Sequence, residues 1–234
     1  MKRLYVDGLI ASGEDKDVLD AWGYPNVTPE DVRLFLNDAA GEDVEIWVNS
    51  YGGDVWAAMA IYAQLKDYKG ASKALITGLS ASAATIVMCG CDTVEASIGA
   101  QIMMHNASAS AEGDYHDMYV SAEQLQTANN SILAIYTAKT GRKVTDLKQM
   151  MERTTWMDAQ MALEAGFVDN IVDFSDQRLV AALQDRLPRS PEGEVLNTYH
   201  KTIKALKESA VAEILQRKQM LELEKERFNV EKDF

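Results

Sequence analysis

The stretch VEIWVNSYGGD, Val44–Asp54, decides the fold. Its first five residues, Val44–Val48, apolar at every position but Glu45, read as a short buried strand. Gly52 and Gly53 follow at the strand's C-terminal end. Asp54 then opens a segment in which Ala57, Ala58, Ile61, Tyr62 and Leu65 recur at helical spacing as far as Lys66. Strand, glycine turn and helix make one β-α unit, and the rest of the chain repeats that rhythm.

Upstream, Leu4–Ile10 reads as a strand and Thr28–Ala39 as a helix. Thr28 is its N-cap, Pro29 its first residue, and Glu30 and Asp31 sit in its first turn. Downstream, Lys73–Thr77 is a strand, Ser82–Cys89 a short helix, and Thr93–Ala96 and Gln101–Met104 further strands. This alternation predicts a mostly parallel sheet covered by helices through right-handed crossovers, an α/β protein. Polar groups then fall where strands end, the place open α/β sheets keep their sites.

Asp117–Lys139 reads as one long helix with Met118, Ala122, Leu125, Ala128, Ile132 and Ile135 on one stripe. Polar residues from Glu123 to Asn130 flank that stripe, a composition suited to an interface that water can reach. Thr154–Gly166 reads as a final helix and Phe167–Val172 as its strand. Beyond it the pattern loosens, with Pro188 and Pro191 interrupting it. Asn197–Asp233 reads as a helix of mixed charge with a thin stripe of Leu206, Ala210, Ile214 and Leu221, too thin for a core. The expected organisation is a domain over 1–173, a linker over 174–196 and a charged helical extension over 197–234.

The chain has 234 residues, 47% hydrophobic and 25% charged, the values of a globular protein. A formal net charge of −13 argues against nonspecific nucleic-acid binding, which needs clustered Lys and Arg. Cys89 and Cys91 stand two apart in an apolar stretch with no second pair to complete a zinc site, so they read as reduced core residues. No segment approaches the ~20 apolar residues that span a bilayer, and Met1–Asp7 lacks the apolar run of a secretory signal. These readings predict a cytoplasmic protein without membrane contact, metal or cofactor.

Four segments carry the candidate chemistry: NSYGGD at Asn49–Asp54, GLSASAA at Gly78–Ala84, MMHN at Met103–Asn106 and MERTTWM at Met151–Met157. A serine hydroxyl is a poor nucleophile until a base takes its proton. The tetrahedral intermediate of acyl transfer then needs N–H donors for its oxyanion, each worth ~3–4 kcal/mol. Glycines without Cβ let a backbone approach a ligand, and a helix N-terminus favours the negative charge. Ser80 and Ser82 both offer a hydroxyl. Of the three histidines, His105 ends an apolar strand, whereas His116 and His200 read as solvated.

In this order and spacing the four segments resemble the Clp-type serine peptidases, among them the short forms that tailed phages encode as head-maturation proteases. The resemblance runs from about Arg3 to Val172. It implies a Clp/crotonase-like fold in which the long helix protrudes and mates with another subunit of a homo-oligomeric ring. Aligning on Gly78 selects Ser82 as nucleophile over Ser80, with the Gly53 and Ala83 N–H groups as oxyanion donors. His105 takes the place of the family's general base, with Asn106 where the family has glutamine. Tyr51 stands where the family has proline.

The third catalytic position departs from the pattern. The family reads Glu-Arg-Asp, and here the run is Glu152-Arg153-Thr154, so Thr154 occupies the aspartate's place. Three readings follow: a slow enzyme working with Ser82, His105 and Thr154, replacement of the acid by Glu152 or Asp158, or an inactive protease. Family members that serve an unfolding ATPase carry a gating segment before the first strand. Here the strand begins at about Arg3, which leads us to expect no ATPase partner. The resemblance therefore implies an ATP-independent serine endopeptidase acting on capsid or scaffold protein during phage head maturation. A catalytically silent assembly protein and another crotonase-fold acyl-transfer enzyme, such as an acyl-CoA hydratase, are the rivals; the hydratase would carry acidic residues at Ser82 and His105.

Overall fold

The computed structural model describes residues 1–173, so the expected linker and charged extension lie outside the described residues. Eight strands form one sheet: β1 (Lys2–Ile10), β2 (Asn26–Val27), β3 (Val44–Gly53), β4 (Ser72–Ala81), β5 (Thr93–Ser97), β6 (Gln101–Met104), β7 (Thr155–Asp158) and β8 (Asn170–Val172). The helices are α1 (Lys16–Ala21), α2 (Pro29–Ala39), α3 (Val55–Asp67), α4 (Ala83–Gly90), α5 (Tyr115–Thr140), α6 (Val144–Glu152) and α7 (Ala159–Ala165). Along β2-β1-β3-β4-β5-β8 every pairing is parallel, as the β-α alternation predicts.

On the edge opposite β3, β4 serves two neighbours. Its first half, Lys73–Ile76, pairs with β5, and its second, Leu79–Ala81, pairs with β6. Between the halves the β3–β4 register jumps from Val48↔Ile76 to Ser50↔Ser80, leaving three β4 residues facing one of β3. Asn49 bridges this bulge by accepting the Leu79 N–H at 3.2 Å. The bulge swings the end of β4 away from β5 and towards β6, as bulges bend strands.

One face of the sheet is apolar. Val6, Ile46, Val48, Ala74, Ile76 and Val94 are buried there in one core with residues of α2, α3 and α4. The opposite face carries a row of charges: Glu45 pairs with Arg3 at 2.7 Å and with Lys73 at 3.0 Å, and Lys73 reaches Glu95 at 3.3 Å. The Arg3 guanidinium also lies 3.9 Å from the Trp47 ring centre. Burial works to raise the Glu45 carboxyl, but hydrogen bonds from Arg3, Lys73 and Trp47 outweigh it and hold it below the usual glutamate range.

The caps explain where helices begin. Thr28 and Asp31 form a reciprocal capping box at α2, with Pro29 at the first helical position. Asp54 caps α3 by accepting the Ala57 N–H at 2.6 Å. Two expectations need correction. The helix expected over Thr154–Gly166 is a strand followed by a shorter helix, because Thr155–Asp158 pairs antiparallel with β6 and Asp158 caps α7 only afterwards. The strand expected from Phe167 begins at Asn170, since Gly166 ends α7 in a left-handed conformation and Phe167 is fully buried beside it. The sequence pattern does not predict α1, β2 or α6.

The long helix is present as α5, longer at both ends than its apolar stripe indicated. Only its C-terminal half is packed: Ala128, Ile132, Leu133 and Tyr136 are buried, and Tyr136 meets Phe167 edge to face. Tyr115, Met118, Tyr119 and Val120 in its first turns stay exposed. The cysteines lie at the end of α4, both reduced and buried, and burial pushes both thiols up to about 12. They are core residues, not nucleophiles.

Candidate active site

Two strands bring the candidate residues together. Ser82 follows β4 immediately and His105 follows β6 immediately, and those strand ends pair through Leu79↔Gln101, Ser80↔Ile102 and Ala81↔Met103. The Ser82 N–H extends that ladder by donating to the Met103 carbonyl at 2.8 Å. Beyond it, the Ser82 Oγ and His105 Nε2 lie 2.7 Å apart. That is hydrogen-bond distance for a hydroxyl and a base.

Ser82 itself sits at φ 55°, ψ −124°, a region L-residues rarely occupy. Such a conformation costs of order 1–3 kcal/mol and persists only where the surroundings impose it. The strain comes from an abrupt change of direction: strand β4 ends at Ala81 and α4 starts at Ala83. The turn leaves Ser82 half exposed between two buried alanines. Ala83, as the first residue of α4, has an N–H with no partner inside the helix.

The diglycine passes directly over this turn. A Cβ on Gly52, whose φ is +96°, would lie 2.6 Å from the Ala81 carbonyl oxygen and 2.8 Å from both the Ala83 nitrogen and the Ser82 Cβ. Only glycine fits there. The Gly52 N–H is already occupied by Ser50 Oγ at 3.0 Å, whereas Gly53 is exposed and lines the cavity containing Ser82, Ala83 and His105. That cavity has a volume of about 350 Å³, and its walls include Trp56, Ile86, Leu125 and Ile132. Ser80, the competing serine, is fully buried with its Oγ 3.4 Å from the Met88 sulfur, a packing position.

The third position is incomplete. Thr154 lies one step beyond the Met104↔Thr155 pair of the β6–β7 ladder, on the approach to His105. It is exposed, at φ 53°, and among the described residues its hydroxyl makes no hydrogen bond to the imidazole. Among the described residues neither Glu152 nor Asp158 makes a hydrogen bond to the imidazole. Asp158 accepts the Met161 N–H at 2.7 Å as the α7 cap, and Glu152 faces Lys148 along α6 at 3.9 Å. His116 is exposed near Asp114, and His200 lies outside the described residues.

Residues that sequence reasoning passed over complete the framework. Asn129 on α5 accepts the Ala107 N–H at 2.8 Å and so fixes the segment leaving His105. Thr85 donates its hydroxyl to the Ser82 carbonyl at 2.6 Å and is itself hydrogen-bonded to the Tyr136 hydroxyl of α5. Asn49 could have been found from its place beside the diglycine. Thr85, Asn129 and Tyr136 act on neighbours 22 to 51 residues away or through a carbonyl, which no local pattern reports.

A parallel sheet branching at β4, with a serine on the sharp turn into a helix and a histidine on the adjoining strand, is the Clp/crotonase-like fold. Comparison with known proteins narrows the class: the Clp protease family model matches residues 31–175, and the chain belongs to that family. Its relatives include proteolytic subunit 1 of the ATP-dependent Clp protease of Protochlamydia amoebophila, 28% identical over 74% of this chain and 81% of the relative. The corresponding subunit of Porphyromonas gingivalis is 29% identical over 73% of this chain and 76% of its own. Subunit 2 of Nocardia farcinica is 31% identical over 62% of this chain and 73% of its own. Among the described residues no helix is long and apolar enough to cross a membrane, and no cluster of His, Cys, Asp and Glu could hold a metal.

Proposed function

We propose that the chain is a serine endopeptidase with Ser82 as nucleophile and His105 as general base. The observation that carries this reading is the 2.7 Å contact between Ser82 Oγ and His105 Nε2 in the wall of a cavity. His105 takes the hydroxyl proton as Oγ attacks the peptide carbonyl, and returns it to the leaving amine. The Gly53 and Ala83 N–H groups are the proposed donors to the oxyanion, aided by the N-terminal end of α4. Water, activated by the same imidazole, then releases the acyl group.

Thr154 is the proposed neutral neighbour of His105, so the enzyme works as a Ser-His pair and turns over slowly. In a Ser-His-Asp enzyme, loss of the acid's charge can cost ~10⁴ in rate. Trp56, Ile86, Leu125 and Ile132 are the proposed wall for an apolar substrate side chain beside the scissile bond, alongside polar lining that includes Asp54 and Gln124. We assign the oligomer as a homo-oligomeric ring, supported by the exposed apolar turns of α5. The finer role is ATP-independent cleavage of capsid or scaffold protein during phage head maturation, in the cytoplasm of a host cell. Supporting it are the motif resemblance and the charged segment 197–234 beyond the family match.

A fluorophosphonate probe tests the chemistry. Wild-type protein should be labelled at Ser82, and Ser82→Ala should lose both label and peptide hydrolysis while keeping its fold. Labelling that survives Ser82→Ala and disappears in Ser80→Ala would move the nucleophile by two residues. Absence of any label would leave the silent assembly protein. Cleavage of a co-expressed capsid or scaffold protein without ATP tests the role.

A further inference from the structure

We propose that Thr85 and Tyr136 are positioning residues for the nucleophile: a buried hydroxyl relay from α5 holds Ser82 in its strained conformation. This rests on Ser82 being the nucleophile. The relay has a defined direction. Thr85 has one hydroxyl proton and gives it to the Ser82 carbonyl at 2.6 Å. Its contact with the Tyr136 hydroxyl must therefore be donated by tyrosine. The Ser82 carbonyl also accepts the Thr85 N–H at 3.0 Å. Two donors from one residue thus fix the orientation of the peptide that follows the nucleophile.

Threonines in helices commonly bond to a carbonyl one turn back. Three features give this one a larger role. The carbonyl belongs to the residue at φ 55°, so anchoring it, with the Ser82 N–H held by Met103, fixes the backbone from which the Ser82 side chain projects. Thr85 is fully buried and Tyr136 nearly so, so no water replaces a lost partner. Tyr136 also lies seven residues, two helical turns, after Asn129, on the same face of α5. Asn129 holds the segment after His105 through the Ala107 N–H at 2.8 Å. One face of one helix therefore fixes both members of the 2.7 Å Ser82–His105 contact. A serine released from this conformation keeps its place in the sheet through its N–H to Met103, yet its Oγ swings off the imidazole.

The test compares Thr85→Val, Thr85→Ser and Tyr136→Phe with wild type in fluorophosphonate labelling rate and in hydrolysis of an apolar peptide substrate. Misplacement of a reacting group by about 1 Å can cost ~10²-fold. Thr85→Val should lower kcat and labelling rate by roughly 10- to 100-fold with KM within about twofold, because the substrate cavity is intact. Thr85→Ser should restore both rates to within about threefold, since it keeps the hydroxyl. Tyr136 also lines the cavity, so Tyr136→Phe is read by kcat and labelling rate, both of which should show an intermediate loss. Wild-type labelling kept in Thr85→Val, or a loss not restored by Thr85→Ser, overturns the relay. Should Thr85→Val not fold, Tyr136→Phe decides alone, and an unchanged kcat overturns the proposal. An unlabelled wild type is the separate outcome that removes the peptidase reading itself and the relay with it.

Discussion

The Ser82 N–H donates to the Met103 carbonyl at 2.8 Å, and this one bond ties the start of α4 to the strand that leads into His105. Nucleophile and base therefore share a ladder, and their distance is set by strand pairing more than by either side chain. The bulge at Asn49, the glycine above Ala83 and the hydroxyl of Thr85 all act on this same junction.

Gly52 should resist replacement even by alanine. Gly52→Ala places a Cβ within 2.6 Å of the Ala81 oxygen and forces a left-handed φ of +96°. Left-handed strain of about 1–2 kcal/mol adds to an overpacking cost of about 1–3 kcal/mol. Thermal melts should show a clear loss, and labelling of Ser82 should fall in the fraction that remains folded. Gly99→Ala, with open space around the new methyl, should change stability by less than about 0.5 kcal/mol.

Thr154→Asp tests the third position. A β-branched residue at φ 53° is strained, and Asp and Asn tolerate that region better. Thr154→Asn should therefore stabilise modestly, by up to about 1 kcal/mol, without gain in rate. Thr154→Asp should show the same stability together with at least about tenfold higher kcat, because a carboxylate beside His105 stabilises the imidazolium. Equal activity of the two variants per folded molecule would show that Thr154 does not neighbour the imidazole.

The exposed start of α5 should carry subunit contacts. Met118→Glu combined with Tyr119→Glu places two charges where both side chains are exposed and apolar, 40% and 70%. A tyrosine that serves as an interface hot spot contributes about 2 kcal/mol, so assembly should weaken by roughly 30-fold or more. Sedimentation should report smaller species with unchanged far-ultraviolet circular dichroism. Leu125 is the wrong position for this test, because it lines the cavity beside Ser82. A wild type that sediments as a compact monomer at micromolar concentration would end the ring assignment.

Glu45 should make stability pH-dependent on the acid side. Its folded-state carboxyl is held below the ordinary value of 4.5 by Arg3, Lys73 and Trp47 against the opposing effect of burial. Its stabilisation is thus complete above that value and lost as pH falls through the lowered one. Melts of wild type and Glu45→Gln should differ most near neutrality and converge in acid. A difference that stays constant down to strong acid would mean the network contributes through packing alone.

Much of the architecture was legible along the chain. The short strand Val44–Val48, the capping set Thr28, Pro29 and Asp31, and the spacing of Ala57, Ile61 and Leu65 are local signals, and each element lies where they put it. The failures occurred where tertiary pairing overrode local preference. Thr155–Asp158 became a strand because β6 offered an unpaired edge, which helical spacing from Thr154 to Gly166 could not disclose. The stripe on α5 showed a helix with an apolar face but not that only its C-terminal half is covered.

The sequence by itself determined the β-α order, the parallel sheet, the glycine turn and the serine and histidine at two strand ends. Those follow from periodicity, capping and turn chemistry, which act over a few residues. Only the tertiary structure decided that Ser82 and His105 meet at 2.7 Å, that Ser80 is buried, and that Thr154 approaches His105 without a hydrogen bond. It alone placed Thr85 and Tyr136, 51 residues apart, behind the serine. The reason is physical: a branched strand and a strained turn fix contacts across the site, and they exist only when residues remote in sequence are packed against one another.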